Sequence, residues 1–254
     1  MIKIVYFLYI SILIYSNISI FADNEVYPKG IDKVKYLTGD YPREKYLKTF
    51  KNSREGNSHL LREDTILALE EMLRAFDSER EGKSKQHIFI SSAFRSYTDQ
   101  KSIWEQKYTG TKKMREPVSG KTPEQIVNLI LEFSSAPGTS RHHWGTDFDI
   151  NVLTNEYYLK GNGNYLYNWL QKNASRYGFC QPYNELSKRD NKGYNEERWH
   201  WSYAKISNQL QKDWVQAFKN NEISLKGKFK GSDILGERPL DYVTSINKEC
   251  EKIK

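Results

Sequence analysis

The chain has 254 residues, of which 38% are hydrophobic and 28% charged, and its formal net charge is +7 with neutral histidines. This composition excludes a polytopic membrane protein. The 14% of aromatic residues exclude a disordered polyelectrolyte, which lacks the apolar side chains needed to offset chain entropy. Two cysteines are too few for a disulfide-rich miniature fold or a four-cysteine zinc site. The composition therefore indicates a mildly basic, aromatic-rich globular protein.

The first 22 residues have the composition of a secretory signal peptide. Lys3 is followed by an almost uncharged apolar stretch, Ile4–Phe21, then by Ala22 and the polar residues 23–25. A short basic start, an apolar middle and a small residue before a polar break are typical of such a segment. Because no cluster of Lys or Arg follows, we expect residues 1–22 to be removed rather than kept as a membrane anchor. The mature protein is then exported to the periplasm, the cell surface or the medium.

Export changes the interpretation of the two cysteines. In an oxidising compartment, Cys180 and Cys250 can form one bridge that ties the C-terminal tail to the body of the protein. Two unpaired thiols, with Cys180 buried, agree equally well with the sequence, because it does not supply the distance between their Cα atoms. Both alternatives stay open at this stage.

Hydrophobic periodicity predicts helices and short strands after an irregular lead-in over residues 23–58. Thr98 is the expected N-cap of the second helix, and Thr122 with Pro123 and Gln125 has the pattern of a capping box at the start of the third. Gly178 is expected to end the fourth. The predicted helices cover residues 65–79, 98–108, 122–136, 164–177 and 207–220, and the predicted strands cover residues 85–91, 146–152 and 199–203.

The order of these elements favours an α+β fold, with a small antiparallel sheet flanked by helices. Helices and strands are interspersed, but they do not form the regular strand-helix units of a doubly wound parallel sheet. A basic tail over residues 221–254 follows the last predicted helix.

Three of the five histidines lie in two clusters of polar and aromatic residues. His142 precedes the predicted strand that carries Asp147 and Asp149, and His200 follows Glu197 by three positions. A catalytic zinc site needs three protein ligands, an open position for water and a nearby carboxylate to take the proton of the water. These residue types supply that set. A packed, hydrogen-bonded core edge uses the same types, so the inventory alone leaves both interpretations open.

Two turns are required if these residues share one site. Gly145 allows a sharp turn that brings His142 back beside Asp149. Strict alternation along a strand would place Glu197 and His200 on opposite faces, so a turn or a bulge must separate them.

Three segments resemble the VanY-type D-alanyl-D-alanine carboxypeptidases, which are zinc metallopeptidases. The segment Ser92–Gln100 resembles the Arg-and-Gln motif that precedes the zinc signature of that family. The segments occur in the family's order, and the resemblance spans roughly residues 66–210. The two parts of the signature correspond here to Ser140-x-His142-x-x-Gly145-x-x-x-Asp149 and Glu197-x-Trp199-His200.

The resemblance implies a role for each of these side chains. His142, Asp149 and His200 would bind one Zn²⁺ per chain, in a cleft over the sheet. Glu197 would be the general base, and Arg95 would stabilise the oxyanion of the tetrahedral intermediate.

Four further residues have less defined roles. Ser140 and Gln100 are expected to hydrogen-bond the terminal carboxylate or the amide of the substrate, although each equally suits a helix cap. His143 is expected in the substrate cleft or beside the metal ligands. Asp147 stands where the family commonly has a small residue, which raises the question of which aspartate binds the metal; the family pattern selects Asp149.

The implied function is an exported carboxypeptidase that trims the terminal D-alanine from peptidoglycan stem peptides, with residues 59–220 as its catalytic domain. A dipeptidase for free D-Ala-D-Ala and a stem-peptide endopeptidase use the same chemistry. A non-catalytic cell-wall-binding module is the alternative from another class, and the presence of Glu197 argues against it. Nucleic-acid binding is not expected because Lys and Arg are scattered, and no stable membrane span is expected after removal of residues 1–22. The oligomeric state stays open.

Overall fold

The structure, a computed structural model, describes residues 25–52 and 56–254. The predicted signal peptide lies outside these residues and stays a prediction. None of the described helices is long and apolar enough to cross a membrane. The described helices are α1 (Lys33–Thr38), α2 (Arg43–Tyr46), α3 (Glu63–Arg80), α4 (Tyr97–Tyr108), α5 (Pro123–Leu131), α6 (Gly161–Asn173), α7 (Ala204–Lys219), α8 (Arg238–Thr244) and α9 (Lys248–Glu251). The described strands are β1 (Lys48–Phe50), β2 (His59–Leu61), β3 (Ile90–Ser92), β4 (Asp147–Ile150), β5 (Phe179–Cys180) and β6 (His200–Tyr203).

The site is built on a four-stranded antiparallel sheet with the order β3-β4-β6-β5. The two middle strands, β4 and β6, are buried along their whole length, and Asp149 lies opposite His200 in their register. Strands β1 and β2 form a separate antiparallel pair. The predicted α+β class, with a small antiparallel sheet among helices, is confirmed.

Several predicted element ends are confirmed by their capping contacts. Thr122 accepts the N–H of Gln125, whose side chain accepts the N–H of Thr122, with Pro123 at the first helical position. Gly178 adopts the left-handed conformation (φ 85°) and ends the 3₁₀ turn that follows α6. Helix α5 stops before the predicted residue 136, because the carbonyl of Glu132 accepts the N–H of Asn195 instead of continuing the helix.

Two local predictions are wrong. The N-cap of α4 is Ser96 rather than Thr98, since the Ser96 hydroxyl accepts the N–H of Asp99 and the Asp99 carboxylate accepts the N–H of Ser96. The strand predicted over residues 85–91 is confined to β3. Before β3, the side-chain amide of Asn151 donates a hydrogen bond to the carbonyl of His87 in place of a strand partner.

The lead-in over residues 23–58 is not irregular throughout. It contains α1, α2 and β1, and it contributes buried apolar side chains to the main core. These helices are only six and four residues long, too short to produce a clear hydrophobic period. The buried core residues of this segment are Tyr36, Leu37, Tyr41, Leu47 and Phe50.

The C-terminal tail is folded onto the body of the protein and covalently attached to it. Residues 221–254 include α8 and α9, and Cys250 forms a disulfide with Cys180, with 5.4 Å between their Cα atoms. Tyr183, Tyr194 and Ile246 surround this bridge in a second, smaller core. Of the two cysteine states that the sequence left open, the structure has the bridged one.

Candidate active site

The chain turns sharply between His142 and β4. His142 belongs to the 3₁₀ helix Arg141–Trp144, and Gly145 follows it in the left-handed conformation (φ 71°). A Cβ atom on Gly145 would lie 2.8 Å from Cδ2 of Leu47, so this turn requires glycine for both space and backbone conformation. The predicted turn is confirmed.

A second turn brings Glu197 to the same site. The N–H of His200 donates to the carbonyl of Glu197 at 3.3 Å, which closes a turn through Arg198 and Trp199 before β6 begins. As a result, Oε2 of Glu197 lies 3.4 Å from Nδ1 of His200. The turn that is needed to bring Glu197 and His200 to one site is therefore present.

His142, Asp149 and His200 converge in the buried interior of the cleft. Asp149 Oδ2 lies 3.5 Å from His142 Nε2, and Asp149 Oδ1 lies 3.2 Å from His200 Nδ1. One ligand atom from each residue falls within 4.8 Å of the others. The structure thus brings together the three residues that the sequence analysis selected.

In both His142 and His200, the ring nitrogen that faces away from Asp149, the outer nitrogen, makes a hydrogen bond within the protein. Nδ1 of His142 donates to the carbonyl of Ala93 at 2.7 Å, and Nε2 of His200 donates to Oδ1 of Asp147 at 3.0 Å. A carbonyl or a carboxylate oxygen can only accept, so these contacts fix the proton on the outer nitrogen. The other ring nitrogen then presents its lone pair to the centre of the site, as metal-binding histidines do.

Both carboxylate oxygens of Asp147 accept hydrogen bonds within the protein, and one of these bonds orients His200. Its Oδ1 accepts from Arg141 Nε at 3.0 Å as well as from His200, and its Oδ2 accepts from the hydroxyls of Thr146 at 2.6 Å and Ser202 at 3.0 Å. These contacts answer the question of which aspartate faces the centre. Asp149 faces the centre of the site at Nδ1 of His200, whereas Asp147 lies on the opposite side of the ring at Nε2.

The three converging side chains fit a zinc ion. His142 Nε2 and Asp149 Oδ1 are buried and have no hydrogen-bond partner. Leaving such atoms unpaired costs about 1–3 kcal/mol each, and a bond to a metal would satisfy both. Two imidazole nitrogens and one carboxylate oxygen form a donor set that is typical of catalytic zinc sites.

The electric field of the site favours a cation at its centre. Burial disfavours a charged His200, yet its contacts with Asp147, Asp149 and Glu197 raise its pKa well above the ordinary value. Burial alone would raise the pKa of Asp149, but His142 and His200 hold it well below its usual range. Three carboxylates thus surround one imidazole, and the field that favours a proton there also favours a divalent cation.

Glu197 has the properties of a proton-transfer group. It is only 6% exposed, and burial raises the pKa of its carboxyl above the usual value, against the opposing effect of His200. A carboxylate with a raised pKa accepts and releases a proton more readily near neutral pH.

The Arg95 side chain lines the same cleft as Glu197, and a hydrogen bond to Gln100 fixes its position. Its Nη1 donates to Oε1 of Gln100 at 3.0 Å, and Nε2 of Gln100 donates to the carbonyl of Ser135 at 2.7 Å. Both ends of the buried Gln100 amide are therefore used inside the protein. The cleft has a volume of about 580 Å³, and Arg95, Asp149, Glu197 and Trp199 contribute to its lining.

His143 and Ser140 are both fully buried. Nδ1 of His143 donates to the carbonyl of Arg95 at 2.7 Å, and its Nε2 accepts the N–H of Gly138 at 3.1 Å. Gln100 and His143 thus make hydrogen bonds with Arg95 and its surroundings, and their contact with substrate stays a prediction. The hydroxyl of Ser140 has no partner, and its contact with substrate stays a prediction.

Two features of the site escaped the sequence analysis. Lys107 and Ser134 line the cleft, although only the position of Lys107 on the helix face of Gln100 and Ile103 could have indicated this. The N-terminal segment also supports the turn that carries His142, because the hydroxyl of Tyr41 donates to the carbonyl of His143 at 2.9 Å. No sequence pattern signals that contact.

Comparison with known proteins places this chain in a family. The family model VanY, described as D-alanyl-D-alanine carboxypeptidase, matches residues 58–206, a range that contains the three converging residues, Arg95 and Glu197. The chain belongs to the VanY family. A D-alanyl-D-alanine carboxypeptidase of Enterococcus faecalis is 30% identical to it over 117 residues, which are 46% of this chain and 40% of the relative. The chain therefore spans less than half the length of this curated VanY-like relative.

Two solved structures are similar to this member of the VanY family. VanYB in complex with D-alanine-D-alanine is 23% identical, with a TM-score of 0.48, over 72% of this chain and 93% of that one. The vancomycin-resistance D,D-pentapeptidase VanY in complex with Zn(II) is 24% identical, with a TM-score of 0.48, over 69% of this chain and 88% of that one.

Proposed function

We propose that this protein is an exported, zinc-dependent D-alanyl-D-alanine carboxypeptidase that removes the terminal D-alanine of peptidoglycan stem peptides. The observation that carries the proposal is the position of Glu197. Its carboxylate lies 3.4 Å from His200 Nδ1, beside the His142–Asp149–His200 cluster and in one cleft with Arg95. Membership of the VanY family and similarity to a curated D-alanyl-D-alanine carboxypeptidase support the substrate class.

The donor set supports one zinc ion per chain, held by His142 Nε2, His200 Nδ1 and the Asp149 carboxylate. When bound, this ion would supply Lewis-acid chemistry, polarising a water molecule and the scissile carbonyl. The outer ring nitrogens of His142 and His200 donate to the Ala93 carbonyl and the Asp147 carboxylate, which orients the opposite nitrogen of each ring toward the position of the metal.

Glu197 and Arg95 perform the remaining chemistry. Glu197 accepts a proton from the attacking water as the water oxygen bonds to the scissile carbonyl carbon. It then donates that proton to the nitrogen of the leaving D-alanine as the C–N bond breaks. The guanidinium of Arg95, fixed by Gln100, stabilises the negative charge that develops on the carbonyl oxygen.

The disulfide gives independent support for export. Bonds of this kind persist in oxidising compartments and are rare in the cytosol. The Cys180–Cys250 bridge is therefore consistent with the signal peptide predicted at residues 1–22.

The proposal is tested by incubating the purified, zinc-loaded protein with a pentapeptide stem and identifying the products by mass spectrometry. Release of one D-alanine and a tetrapeptide would support it. Release of a dipeptide, or cleavage only of free D-Ala-D-Ala, would instead identify an endopeptidase or a dipeptidase. Binding of the stem without hydrolysis, equal in the protein and in its Glu197→Gln variant, would identify a non-catalytic wall-binding module.

A further inference from the structure

A groove outside the active-site cleft runs along the exposed side of α7. One part of it, with a volume of about 600 Å³, lies between the end of α6, β5 and the C-terminal tail. A second part, of about 810 Å³, lies between α7 and the same tail, and Lys212 contributes to its lining. The two parts share Lys205, Ile253 and Lys254 as lining residues, so they form one continuous groove, which we call the α7 groove.

The α7 groove lies on the face of the sheet opposite to the candidate active site. Successive side chains of a strand point to opposite faces. On β6, His200 is one of the three converging residues, whereas its neighbour Trp201 lines the groove. No described residue lines both the groove and the cleft that contains Glu197. A ligand in the groove therefore leaves the cleft open.

The α7 groove has an excess of positive charge. Its lining contains five cationic side chains but only two carboxylate side chains, those of Glu249 and Glu251. Of the five cations, only Lys252 forms an ion pair with a described residue, Glu249, at 2.7 Å. The four cations without a carboxylate partner are all exposed: Arg176, Lys205, Lys212 and Lys254. An anionic ligand would supply their counter-charges.

Unused hydrogen-bond acceptors lie beside these cations. Nε2 of Gln171 donates to Oε1 of Gln181 at 2.6 Å, and Nε2 of Gln209 donates to Oδ1 of Asp213 at 2.7 Å. Gln171 and Gln209 are exposed and line the groove, and no described residue donates to the Oε1 atom of either. An amide oxygen can only accept, so a complementary ligand offers O–H or N–H groups in addition to anions.

The dimensions of the α7 groove fit a polymer better than a small molecule. Lys205 and Lys212 are seven residues apart on α7, which corresponds to about 10 Å along the helix axis. Each of the two parts already has the volume of a small-molecule pocket. A ligand that reaches both lysines and also Arg176 must be extended and must carry repeated charges.

The apolar side chains argue against a lipid surface as the partner. Helices that dock on membranes bury large apolar side chains beside their cations. None of the exposed large hydrophobic residues of the described chain lines the α7 groove. These residues are Leu67, Phe133, Leu153 and Leu159. The partner is therefore a hydrophilic polymer.

We propose that the α7 groove is a docking surface for the peptidoglycan polymer, separate from the site that cleaves its stem peptides. Hydroxyl and amide N–H groups of the glycan would donate to Gln171 and Gln209, and free carboxylates of stem peptides would pair with Lys205 and Lys212. This inference rests on the proposed function, which makes a peptide attached to that polymer the substrate. Docking holds the enzyme on the wall while its cleft stays open to successive stem peptides.

Co-sedimentation with purified peptidoglycan sacculi tests the docking surface. The zinc-loaded Glu197→Gln protein is used to prevent turnover, and an excess of soluble pentapeptide occupies the cleft. In this protein, the double change Lys205→Met, Lys212→Met removes two charges at similar length, and Lys205→Arg, Lys212→Arg keeps them. The matched control is Lys228→Met, Lys230→Met, which removes the same charge from exposed lysines outside the groove.

We expect most of the binding to sacculi to persist in excess pentapeptide. The methionine variant of the groove should weaken the remaining binding by about 10-fold, as for the loss of two exposed charge contacts, and the arginine variant should restore most of it. The control should change binding by less than about twofold. An equal loss in the groove and control variants would overturn the proposal, because net charge alone would then explain binding. Complete displacement by the pentapeptide would also overturn it, since the cleft would be the only binding site.

Hydrolysis by the protein with Glu197 intact separates this inference from the proposed function. Lys205→Met, Lys212→Met should cleave soluble pentapeptide within about twofold of the parent rate but release D-alanine from sacculi about 10-fold more slowly. An equal loss on both substrates would overturn the docking role. If the parent does not cleave the pentapeptide, the proposed function fails, and the binding of sacculi still decides this inference. Equal binding of anionic phospholipid vesicles through the same lysines would identify a membrane surface and overturn it.

Discussion

His200 Nε2 donates to Oδ1 of Asp147 across 3.0 Å, and this contact directs the opposite ring nitrogen, Nδ1, toward Asp149 and Glu197. Asp147 is completely buried and is also bonded to Arg141, Thr146 and Ser202. A carboxylate in this position fixes the orientation of the imidazole and increases its basicity as a metal ligand. The second aspartate of the motif is therefore a positioning residue.

Asp147→Asn is expected to weaken zinc affinity by about 10- to 100-fold while leaving all three ligands in place. It should also lower the free energy of unfolding by about 3–5 kcal/mol, since Arg141 loses its buried counter-charge. Competition with a chelator measures the affinity, and urea unfolding of the metal-free protein measures the stability. Ser202→Ala is the control, because it removes one hydrogen bond to Asp147 but not the contact with His200. Equal loss of zinc in both variants would contradict the orienting role.

Removing a ligand should have a larger effect than removing its support. In His200→Ala only His142 and Asp149 remain, and two ligands do not hold a catalytic zinc firmly. We expect metal and activity to be lost together, as measured by zinc content after dialysis and by hydrolysis of the pentapeptide. Stoichiometric zinc in this variant would show that the ligand assignment is wrong.

Glu197→Gln should separate metal binding from catalysis. The variant is nearly isosteric, and Glu197 is not among the three converging residues, so zinc content and fold should be retained. The amide cannot accept a proton at neutral pH, so the rate should fall by about 10²- to 10⁴-fold. Zinc content and hydrolysis are measured on the same preparation. Near-normal hydrolysis would reduce Glu197 to a structural ion-pair partner.

The local geometry of the site is accessible from sequence because short-range rules determine it. Gly145 indicates a turn through its backbone freedom, and the three-residue spacing of Glu197 and His200 requires a turn if both face one site. Both turns are present. The alternation that places Asp147 and Asp149 on one side of the strand also agrees with their shared contacts to His200. Alternation does not decide which of the two faces the centre; the family pattern selects Asp149, and the contacts of Asp147 with Arg141, Thr146 and Ser202 agree with that choice.

The contacts that hold the site in place could not be predicted, because they join residues that lie far apart in the sequence. Tyr41 and His143 are 102 residues apart, and no periodic pattern links them. Likewise, the Gln100 amide accepts from Arg95 and donates to the carbonyl of Ser135, 35 residues away. Side-chain contacts of this kind depend on how elements pack, which composition and spacing do not specify.

Arg95→Ala is expected to leave zinc content and fold intact and to lower turnover by about 10²-fold or more, as for loss of an oxyanion donor. Gln100→Ala should lower turnover less, because it releases Arg95 without removing its charge. This variant should affect kcat more than KM, which distinguishes positioning of Arg95 from direct substrate binding. A change confined to KM would instead indicate that Gln100 binds the substrate directly. Full activity of Arg95→Ala would show that Arg95 has only a structural role.

The disulfide is expected to stabilise the protein rather than to shape the site. Cys180 and Cys250 are 70 residues apart, and a disulfide typically stabilises a protein by about 2–4 kcal/mol, with the upper end expected for a loop as long as this one. The Cys180→Ser, Cys250→Ser double variant should lose about that much free energy of unfolding, measured with urea, and should keep its zinc affinity. Reduction with dithiothreitol should destabilise the native protein to a similar extent and leave the double variant unchanged. Sensitivity of the double variant to the reductant would contradict this explanation.

The last prediction concerns Tyr41, which connects the N-terminal segment to the metal-binding turn. Its hydroxyl donates to the carbonyl of His143 at 2.9 Å, next to the ligand His142, and its ring stacks on Tyr36 with 4.8 Å between centroids. Tyr41→Phe keeps the ring but leaves this buried carbonyl without its donor, at a cost of about 1–3 kcal/mol. We expect a loss of stability in that range, together with faster release of zinc to a chelator.

Tyr46→Phe provides the control for this change. Tyr46 contacts the ring of Tyr41 with 6.1 Å between centroids, but its hydroxyl makes no hydrogen bond within the described residues. The variant should therefore alter neither stability nor zinc release beyond experimental error. If Tyr41→Phe releases zinc no faster than Tyr46→Phe, the hydrogen bond to His143 does not constrain the turn that carries His142. The N-terminal segment would then contribute only apolar packing to the core.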